Sequence, residues 1–396
     1  MEGIRSIFQG HTSFLTSDVP VLDPTLLAIP PEMLAVDGAQ GESHHTFGIN
    51  GFGRIGRTSF RVWWKFHRHA TELKAINTSG SMNIGDWIHL LKYDSNYGAF
   101  ECDMSFEQHQ EHDKVSDEDP VIGTLTLHDP DDVSKVYTVT FTAQRDPAKI
   151  PWSKLGVETV IESTGVFISK EKASLHLQAG ARYVIISAPP KGPGIPTTVL
   201  GVKEAAASDT VLSNASCTTN SVAPVVQVIN SVFGIAKATL TTIHSYTDDQ
   251  NLHDNSHRDL RRGRAAALNI VPTTTGAAIA TTEVIPELKG LFDGLAIRVP
   301  TPVGSLSDMV FVLKKKTSIE EVNAALETAS NDPIWKGILA VTHEPLVSRD
   351  IVGRRESSIV DLALTQVIDG DLVKVIAWYD NEWGYCNRLV EQVVER

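Results

Sequence analysis

The stretch Ser213-Asn214-Ala215-Ser216-Cys217-Thr218-Thr219-Asn220 sets one thiol between hydroxyls, directly before a helix-like run from Thr218 to Phe233. At a helix N-terminus the unpaired N–H groups and the positive end of the dipole favour a thiolate, so this placement predicts a lowered cysteine pKa. The Ser216 and Thr218 hydroxyls can donate to an anion held beside the sulfur. One segment therefore offers a nucleophile and part of an anion pocket. The plain alternative is a buried core cysteine with ordinary capping residues, and features further along the chain weigh against it. Downstream, the β-rich run Thr239-Leu240-Thr241-Thr242-Ile243 delivers His244. A histidine beside a thiol can take its proton and shuttle it. Most of the fourteen histidines have no such context. Thr273-Thr274-Thr275-Gly276 places hydroxyls and a backbone N–H ahead of the alanine-rich run Ala277 to Ala280. Ala296-Ile297-Arg298-Val299-Pro300 puts one arginine at a strand end, and Arg298 with a hydroxyl such as Thr247 suits a phosphomonoester. The basic segment Asp259-Leu260-Arg261-Arg262-Gly263-Arg264 fits either a phosphate or acids at a subunit contact.

These groups need a scaffold, and the upstream half supplies one. Thr46 to Asn50 reads as a short strand, Gly51-Phe52-Gly53-Arg54-Ile55-Gly56 follows at once, and Arg57 to Arg68 reads as a helix. Strand, Gly-x-Gly-x-x-Gly and helix in that order is the context a dinucleotide fingerprint requires. Gly51 permits the tight turn, Gly53 lets a pyrophosphate approach the backbone, and Gly56 lets helix pack on strand. The phosphates would face the helix N-terminus. Leu73 to Asn77 reads as the second strand, whose end should carry an acid for the adenosine ribose. Thr78 stands there instead, with Ser79 and Ser81 nearby, and Asp86 is too far along. Val157 to Ser163 leads into Ser163-Thr164-Gly165, and Tyr183 to Ser187 leads into Ala188-Pro189-Pro190. In a parallel doubly wound sheet such strand ends line the ligand crevice.

Bulk properties narrow the classes. A chain of 396 residues suggests about two domains. A net charge of −13, from 48 acids and 35 bases, argues against a general nucleic-acid partner. No apolar run approaches the roughly 18 residues of a membrane span. Cys102, Cys217 and Cys386 are too few for a disulfide framework and fit a reducing compartment, and no spacing suggests a metal site. Residues 1–45 hold six acids, one base (Arg5) and four prolines. That composition fits neither a secretory signal nor an arginine-rich transit peptide, so the cytoplasm is the expected compartment. Residues Glu107 to Asp119 read as an inserted acidic loop, whose His109 and His112 are expected to be solvated rather than metal-bound.

With those residues assembled, the chain from about residue 46 onward resembles phosphorylating glyceraldehyde-3-phosphate dehydrogenases. The matching segments are Ile49 to Arg57, Arg145-Asp146-Pro147, Glu162 to Phe167, Ile186 to Pro189, Ser213 to Asn220, Thr241 to Thr247, Pro272 to Ala278, Arg298 to Thr301 and Trp378 to Arg388. The segment Tyr379-Asp380-Asn381-Glu382-Trp383-Gly384-Tyr385 is specific alongside the cysteine motif. The resemblance implies an α/β chain. A Rossmann-type NAD(P)-binding domain would span 46–216, completed by a C-terminal helix at 381–396. An α+β catalytic domain with a mostly antiparallel sheet would span 217–380. Residues 1–45 and 107–119 fall outside the pattern.

The resemblance also implies roles. Cys217 would attack the aldehyde of glyceraldehyde 3-phosphate, with His244 activating it. The resulting thioester would be cleaved by inorganic phosphate. Thr247 and Arg298 would hold the substrate phosphate, and Ser216, Thr218, Thr275 and Gly276 the attacking one. Asn381 would bind the nicotinamide carboxamide, with Tyr385 beside it. Gly51, Gly53, Gly56, Arg54, Ile55, Asn77, Thr78, Arg145, Thr164, Gly165 and Ser187 would line the rest of the NAD or NADP cleft. A homotetramer is implied, its loop at about 246–267 reaching a neighbour's cofactor site. Two departures bear on the cofactor. The family's usual Asn-Asp after the second strand is Asn77-Thr78, and Asn255-Ser256 stands where NAD-restricted members carry Leu-Pro. Both predict use of NAD and NADP. Among rivals, an erythrose-4-phosphate dehydrogenase is disfavoured by Thr275-Gly276-Ala277-Ala278, and a non-catalytic NAD-binding scaffold by the intact cysteine, histidine and phosphate residues.

Overall fold

The computed structural model describes residues 45–396. The expectations for residues 1–44 lie outside the described residues. The first half of the described chain builds an eight-stranded sheet. Its elements are β1 (His45–Asn50), α1 (Arg54–Val62), β2 (Thr71–Thr78), α2 (Ile84–Lys92), β3 (Met104–Gln108), β4 (Val121–His128), β5 (Val136–Ala143), β6 (Thr159–Glu162), β7 (Tyr183–Ile186) and β8 (Val211–Ser213). The spatial order is β8-β7-β6-β1-β2-β5-β4-β3. The six strands from β8 to β5 are parallel, while β3 and β4 add an antiparallel edge. Counting only the parallel strands in chain order, the order is 6-5-4-1-2-3, the doubly wound arrangement. The order reverses between β1 and β6, so their carboxyl ends open the crevice where such sheets bind ligands. β1 is buried from Phe47 to Asn50 on both faces, as a central parallel strand should be.

Two sequence expectations change here. The helix expected over Arg57 to Arg68 starts at Arg54, and from Trp63 to His67 it loosens into a π turn. Glu107 and Gln108, expected in a loop, instead finish β3, opposite Thr124 and Gly123. That strand is the sheet edge, where exposed charged side chains are usual, so its polar pattern imitates a loop.

The second half begins with α3 (Cys217–Phe233) and continues through β9 (Ile235–Ser245), β10 (Val271–Thr274), α4 (Ala277–Val284), β11 (Phe292–Val299), β12 (Ser305–Leu313), α5 (Ile319–Ser330), β13 (Leu339–Thr342), β14 (Ser358–Asp361), β15 (Gln366–Ile368) and β16 (Leu372–Tyr379). The sheet order is β10-β11-β9-β12-β16-β14-β13, with β15 paired to β16. Only the β9–β11 and β13–β14 pairs are parallel; the other pairings are antiparallel. β12 alternates buried and half-buried side chains along its whole length, the period-2 signature of a strand with one face in the core. That core packs the sheet against Val222, Val225, Val226 and Ile229 of α3 and Val322 and Leu326 of α5. The last helix, α6 (Trp383–Val394), returns to the first half. Its Trp383, Tyr385, Cys386, Leu389, Val390 and Val393 join one apolar cluster with Phe47, Ile49 and Phe60. Among the described residues no helix is long and apolar enough to cross a membrane.

Candidate active site

Cys217 is the first residue of α3, and Ser216 is its N-cap, the hydroxyl accepting from the Thr219 N–H at 3.1 Å. Ala215 just before has φ 53°, a left-handed backbone that is uncommon without a glycine. This bend turns the chain from the end of β8 into α3. His244 lies near the end of β9, and its Nε2 is 3.4 Å from the Cys217 sulfur. Its Nδ1 is 2.7 Å from the Ser245 carbonyl oxygen. A carbonyl only accepts, so Nδ1 carries the proton and Nε2 turns a lone pair to the thiol. The two strands β9 and β11 run parallel with His244 opposite Arg298, which brings the arginine beside the histidine. Arg298 Nη1 donates to the Thr247 hydroxyl at 2.7 Å and to the Ser245 carbonyl at 3.2 Å. Its Nε is buried with no hydrogen-bond partner among the described residues, a donor open to a ligand.

The electrostatics correct one expectation. Burial pushes the Cys217 thiol above its usual range, although Arg298 and the helix-end hydrogen bonds pull it down. Burial, then the Arg298 charge, holds His244 down at about 3. The helix N-terminus alone therefore does not yield a free thiolate. Burial thus disfavours a lone charge on either group, and the two stand 3.4 Å apart. A third group stands under them. Tyr379, at the end of β16, shares hydrogen bonds with the Thr218 and Thr242 hydroxyls at 2.9 and 3.0 Å, and its ring meets His244 edge to face. The Thr218 hydroxyl is thus tied to a phenol at its back.

Beside Arg298, Thr247 donates to Asp249, which pairs with Arg262. Burial would raise the Asp249 carboxyl, but the Thr247 hydroxyl and the Arg298 and Arg262 charges hold it below the usual range. Arg262 also donates to the Thr273 hydroxyl and the Thr274 carbonyl, and Arg264 pairs with Asp254. Much of the basic segment is thereby satisfied within the chain. Thr275 and Gly276 lead into α4, which packs on α3; the Thr275 hydroxyl accepts from the Ala277 N–H.

The dinucleotide crevice is built from the turn after β1. Gly51 has φ +95°, and a Cβ there would sit 2.8 Å from the Thr164 methyl. A Cβ on Gly56 would fall 2.1 Å from the Gly51 carbonyl, while Gly53 faces open space. Backbone that must stay bare at two glycines and open at the third fits a pyrophosphate over the N-terminus of α1. Thr164 and Gly165 are exposed at the opposite wall, and Ser187 is bonded through its N–H to the Glu162 carbonyl. Arg54 is committed elsewhere, with its guanidinium on Asp94 and Glu382; Ile55 packs against the core. Asn381 Oδ1 accepts from the Gly304 N–H and the Ser305 hydroxyl, which orients its amide. Tyr385 donates to the Ala215 carbonyl.

Two predicted cofactor residues sit differently from expectation. Thr78 is buried, and its hydroxyl donates to the Thr142 carbonyl at 3.1 Å. Asn77 is buried too, its amide spent on Asn50, Thr142 and Gln144. Both are buried because this inner strand is covered on both faces of the sheet. The groups exposed at the ribose end are Ser79 and Arg145, whose Nε donates to the Ser79 carbonyl at 3.3 Å. Three residues were not singled out from the sequence: Tyr379, Asp249 and Glu162. Tyr379 and Glu162 lie in segments the sequence does display; nothing local marks Asp249.

Family models match both halves. One described as "Glyceraldehyde 3-phosphate dehydrogenase, NAD binding domain" covers residues 45–170, and one described as "Glyceraldehyde 3-phosphate dehydrogenase, C-terminal domain" covers residues 216–381. The chain is 48% identical over 359 residues to a chloroplastic glyceraldehyde-3-phosphate dehydrogenase A of Chlamydomonas reinhardtii, covering 90% of each chain. It is 46% identical over 346 residues to glyceraldehyde-3-phosphate dehydrogenase 2 of Synechocystis sp., covering 87% of this chain and 96% of the relative. It is 47% identical over 350 residues to a glyceraldehyde-3-phosphate dehydrogenase of Streptomyces coelicolor, covering 88% and 97%. A nucleotide crevice on a doubly wound sheet, a thiol–imidazole pair on the adjoining sheet, and likeness over nearly all of the described chain agree: this protein belongs to the glyceraldehyde-3-phosphate dehydrogenase family.

Proposed function

We propose that the chain oxidises D-glyceraldehyde 3-phosphate and phosphorylates the product to 1,3-bisphosphoglycerate, through a thioester on Cys217. The observation that carries this reading is the pairing of the Cys217 sulfur with an unprotonated His244 Nε2 at 3.4 Å, beside an arginine with a free buried Nε. His244 takes the thiol proton as sulfur attacks the aldehyde carbon and passes it to the former carbonyl oxygen, giving a hemithioacetal and leaving the imidazole neutral again. Arg298 and Thr247 hold the substrate phosphate with charge-assisted bonds. His244 accepts the hemithioacetal proton as hydride leaves carbon, and the thioester forms. NAD or NADP, when bound, accepts that hydride. Gly51 to Gly56 would hold its pyrophosphate, Ser79 and Arg145 its ribose end, and Asn381 and Tyr385 its nicotinamide end. Ser216, Thr218, Thr275 and Gly276 seat the inorganic phosphate that cleaves the thioester. This hydroxyl-rich set favours phosphorolysis over hydrolysis of the erythrose-4-phosphate dehydrogenase type.

A homotetramer is the proposed assembly. The segment that would reach a neighbour leaves Leu252 and Leu260 more than two-thirds exposed in the single chain, and Leu268 and Ile270 just after it are as exposed, as buried interface anchors would be before assembly. The cytoplasm remains the proposed compartment, tested by cell fractionation against a plastid marker, since the Chlamydomonas relative carries a chloroplastic name. The function is tested by steady-state turnover of the purified chain with glyceraldehyde 3-phosphate. Reduction of NAD or NADP should need inorganic phosphate or arsenate, and steady phosphate-independent release of free acid would contradict the proposal.

A further inference from the structure

Beneath the crevice runs a buried polar relay that the chemistry at Cys217 does not use. We propose that Glu162 is a positioning residue for the dinucleotide: its carboxylate sets the direction of this relay and the separation of the crevice walls. The proposal rests on the dinucleotide reading above.

Glu162 ends β6, Asn50 ends β1, Asn77 lies next to the end of β2, and Gln144 follows β5. These four strands are neighbours in the sheet, so the four side chains floor the crevice at its switch point. Glu162 is 1% exposed, Asn50 2%, Asn77 3%, and His176 fully enclosed. Glu162 Oε2 accepts from Asn50 Nδ2 at 2.5 Å and from His176 Nε2 at 2.9 Å. The Trp152 indole N–H donates to His176 Nδ1 at 3.0 Å. An indole nitrogen only donates, so Nδ1 accepts and the ring proton lies on Nε2, aimed at Glu162.

The direction follows from one end. A carboxylate only accepts. Asn50 must therefore turn its NH₂ toward Glu162, which leaves Asn50 Oδ1 to accept from Asn77 Nδ2 at 2.8 Å. Asn77 Oδ1 then accepts from the Thr142 hydroxyl at 2.8 Å and the Gln144 N–H at 3.0 Å. Flipping either amide would set donor against donor in a buried place and leave those groups unmet. The other oxygen reaches the rim. Glu162 Oε1 accepts from the Thr164 N–H at 2.8 Å and from the Thr164 hydroxyl. Thr164 is the residue that a Cβ on Gly51 would strike. One carboxylate thus ties the end of β1 to the turn after β6, the two walls between which the cofactor lies. Ser163 adds a second stitch, its hydroxyl donating to the Gly51 carbonyl at 2.8 Å.

Glu162→Gln replaces one acceptor oxygen with an NH₂. Four donors then face one oxygen and one donor, so either the relay or the rim loses its acceptor. Titration calorimetry of the purified full chain with NAD and with NADP should show both Kd values raised roughly tenfold or more, about 1.4 kcal/mol. The rate of Cys217 alkylation should stay at the wild-type value, because among the described residues neither Cys217 nor His244 bonds to a member of the relay. Glu162→Asp keeps an acceptor-only group and should recover part of the loss. Thr164→Val removes the hydroxyl's bond to Oε1, keeps the Thr164 N–H bond and leaves the relay whole, so it tests the idea even if Glu162→Gln does not fold; its Kd should rise by roughly threefold. Wild-type affinity in a folded Glu162→Gln or in Thr164→Val overturns the proposal, and so does a Glu162→Gln variant whose thiol reactivity falls along with its affinity. A wild-type chain that binds neither dinucleotide would instead refute the function on which the proposal rests.

Discussion

Replacing His244 by asparagine removes the one base within reach of the Cys217 sulfur among the described residues. In the intact pair, burial opposes both charges, yet the charges once formed attract across 3.4 Å. At an effective dielectric of about 20 that attraction is about 5 kcal/mol, and the helix N-terminus adds about 0.3–1 kcal/mol. Asparagine keeps the helix end and discards the larger quantity. The thiolate must then form by losing its proton to water from a thiol already pushed upward by burial. Thiolate at pH 7 should fall, and the rate of alkylation by iodoacetamide should drop roughly 10- to 1,000-fold, rising with pH past about 9. Turnover should fall by roughly 10²–10⁴, the range for a lost acid–base group. The assay is the alkylation rate across pH 5–10 for both proteins, with the modified peptide identified. An unchanged pH profile would refute the reasoning and leave His244 a structural residue.

Other consequences can be measured separately. Arg298→Ala removes charge-assisted bonds worth about 1.5–3 kcal/mol, so kcat/KM for glyceraldehyde 3-phosphate should fall roughly 10- to 100-fold with cofactor affinity unchanged. With Ser79 and Arg145 at the ribose end and no carboxylate after β2, kcat/KM for NAD and NADP should agree within about tenfold. Arg145→Ala should weaken NADP more than NAD, and Ser79→Asp should shift preference to NAD; a thousandfold preference for NAD in the wild type would contradict this. His67 is buried, and burial holds it down at about 4, so the folded chain stays neutral there while the unfolded chain takes a proton near pH 6.5. Its contribution to stability is complete above about pH 6.5 and is lost as pH falls toward 4, about 2 kcal/mol by pH 5. His244 adds in the same direction. Urea unfolding at pH 7.5 and 5 should show the loss, and His67→Leu should lessen it.

Local signals were legible in the chain before any folding was known. Gly51, Gly53 and Gly56 declare themselves because backbone that must be bare can be read from residue type alone, and Cys217 because its cap and helix are contiguous with it. Arg298 was readable as a strand-end cation, but its place beside His244 depends on parallel register between β9 and β11. What escaped depends on distant partners. The burial of Thr78 follows from β2 being an inner strand covered on both faces, paired with β5 65 residues away at Ala143, which no local pattern encodes. The upward push on the Cys217 thiol comes from enclosure by elements such as β16, whose Tyr379 stands 161 residues from Thr218. The Glu107–Gln108 end of β3 reads as loop because an edge strand sheds the apolar alternation by which strands are recognised. Glu162 heads a segment the sequence displays, but its proposed positioning role rests on four strands side by side.

The central claim is that a covalent acyl group forms on Cys217 and that phosphate releases it. Rapid mixing of the purified chain with glyceraldehyde 3-phosphate and NAD, without phosphate, followed by acid quenching and peptide mass analysis, tests it most directly. The account predicts a burst of about one reduced cofactor per chain, a 3-phosphoglyceryl adduct on the Cys217 peptide, and its loss on adding phosphate. Continued turnover without phosphate, or an adduct on Cys102 or Cys386 instead, would contradict it.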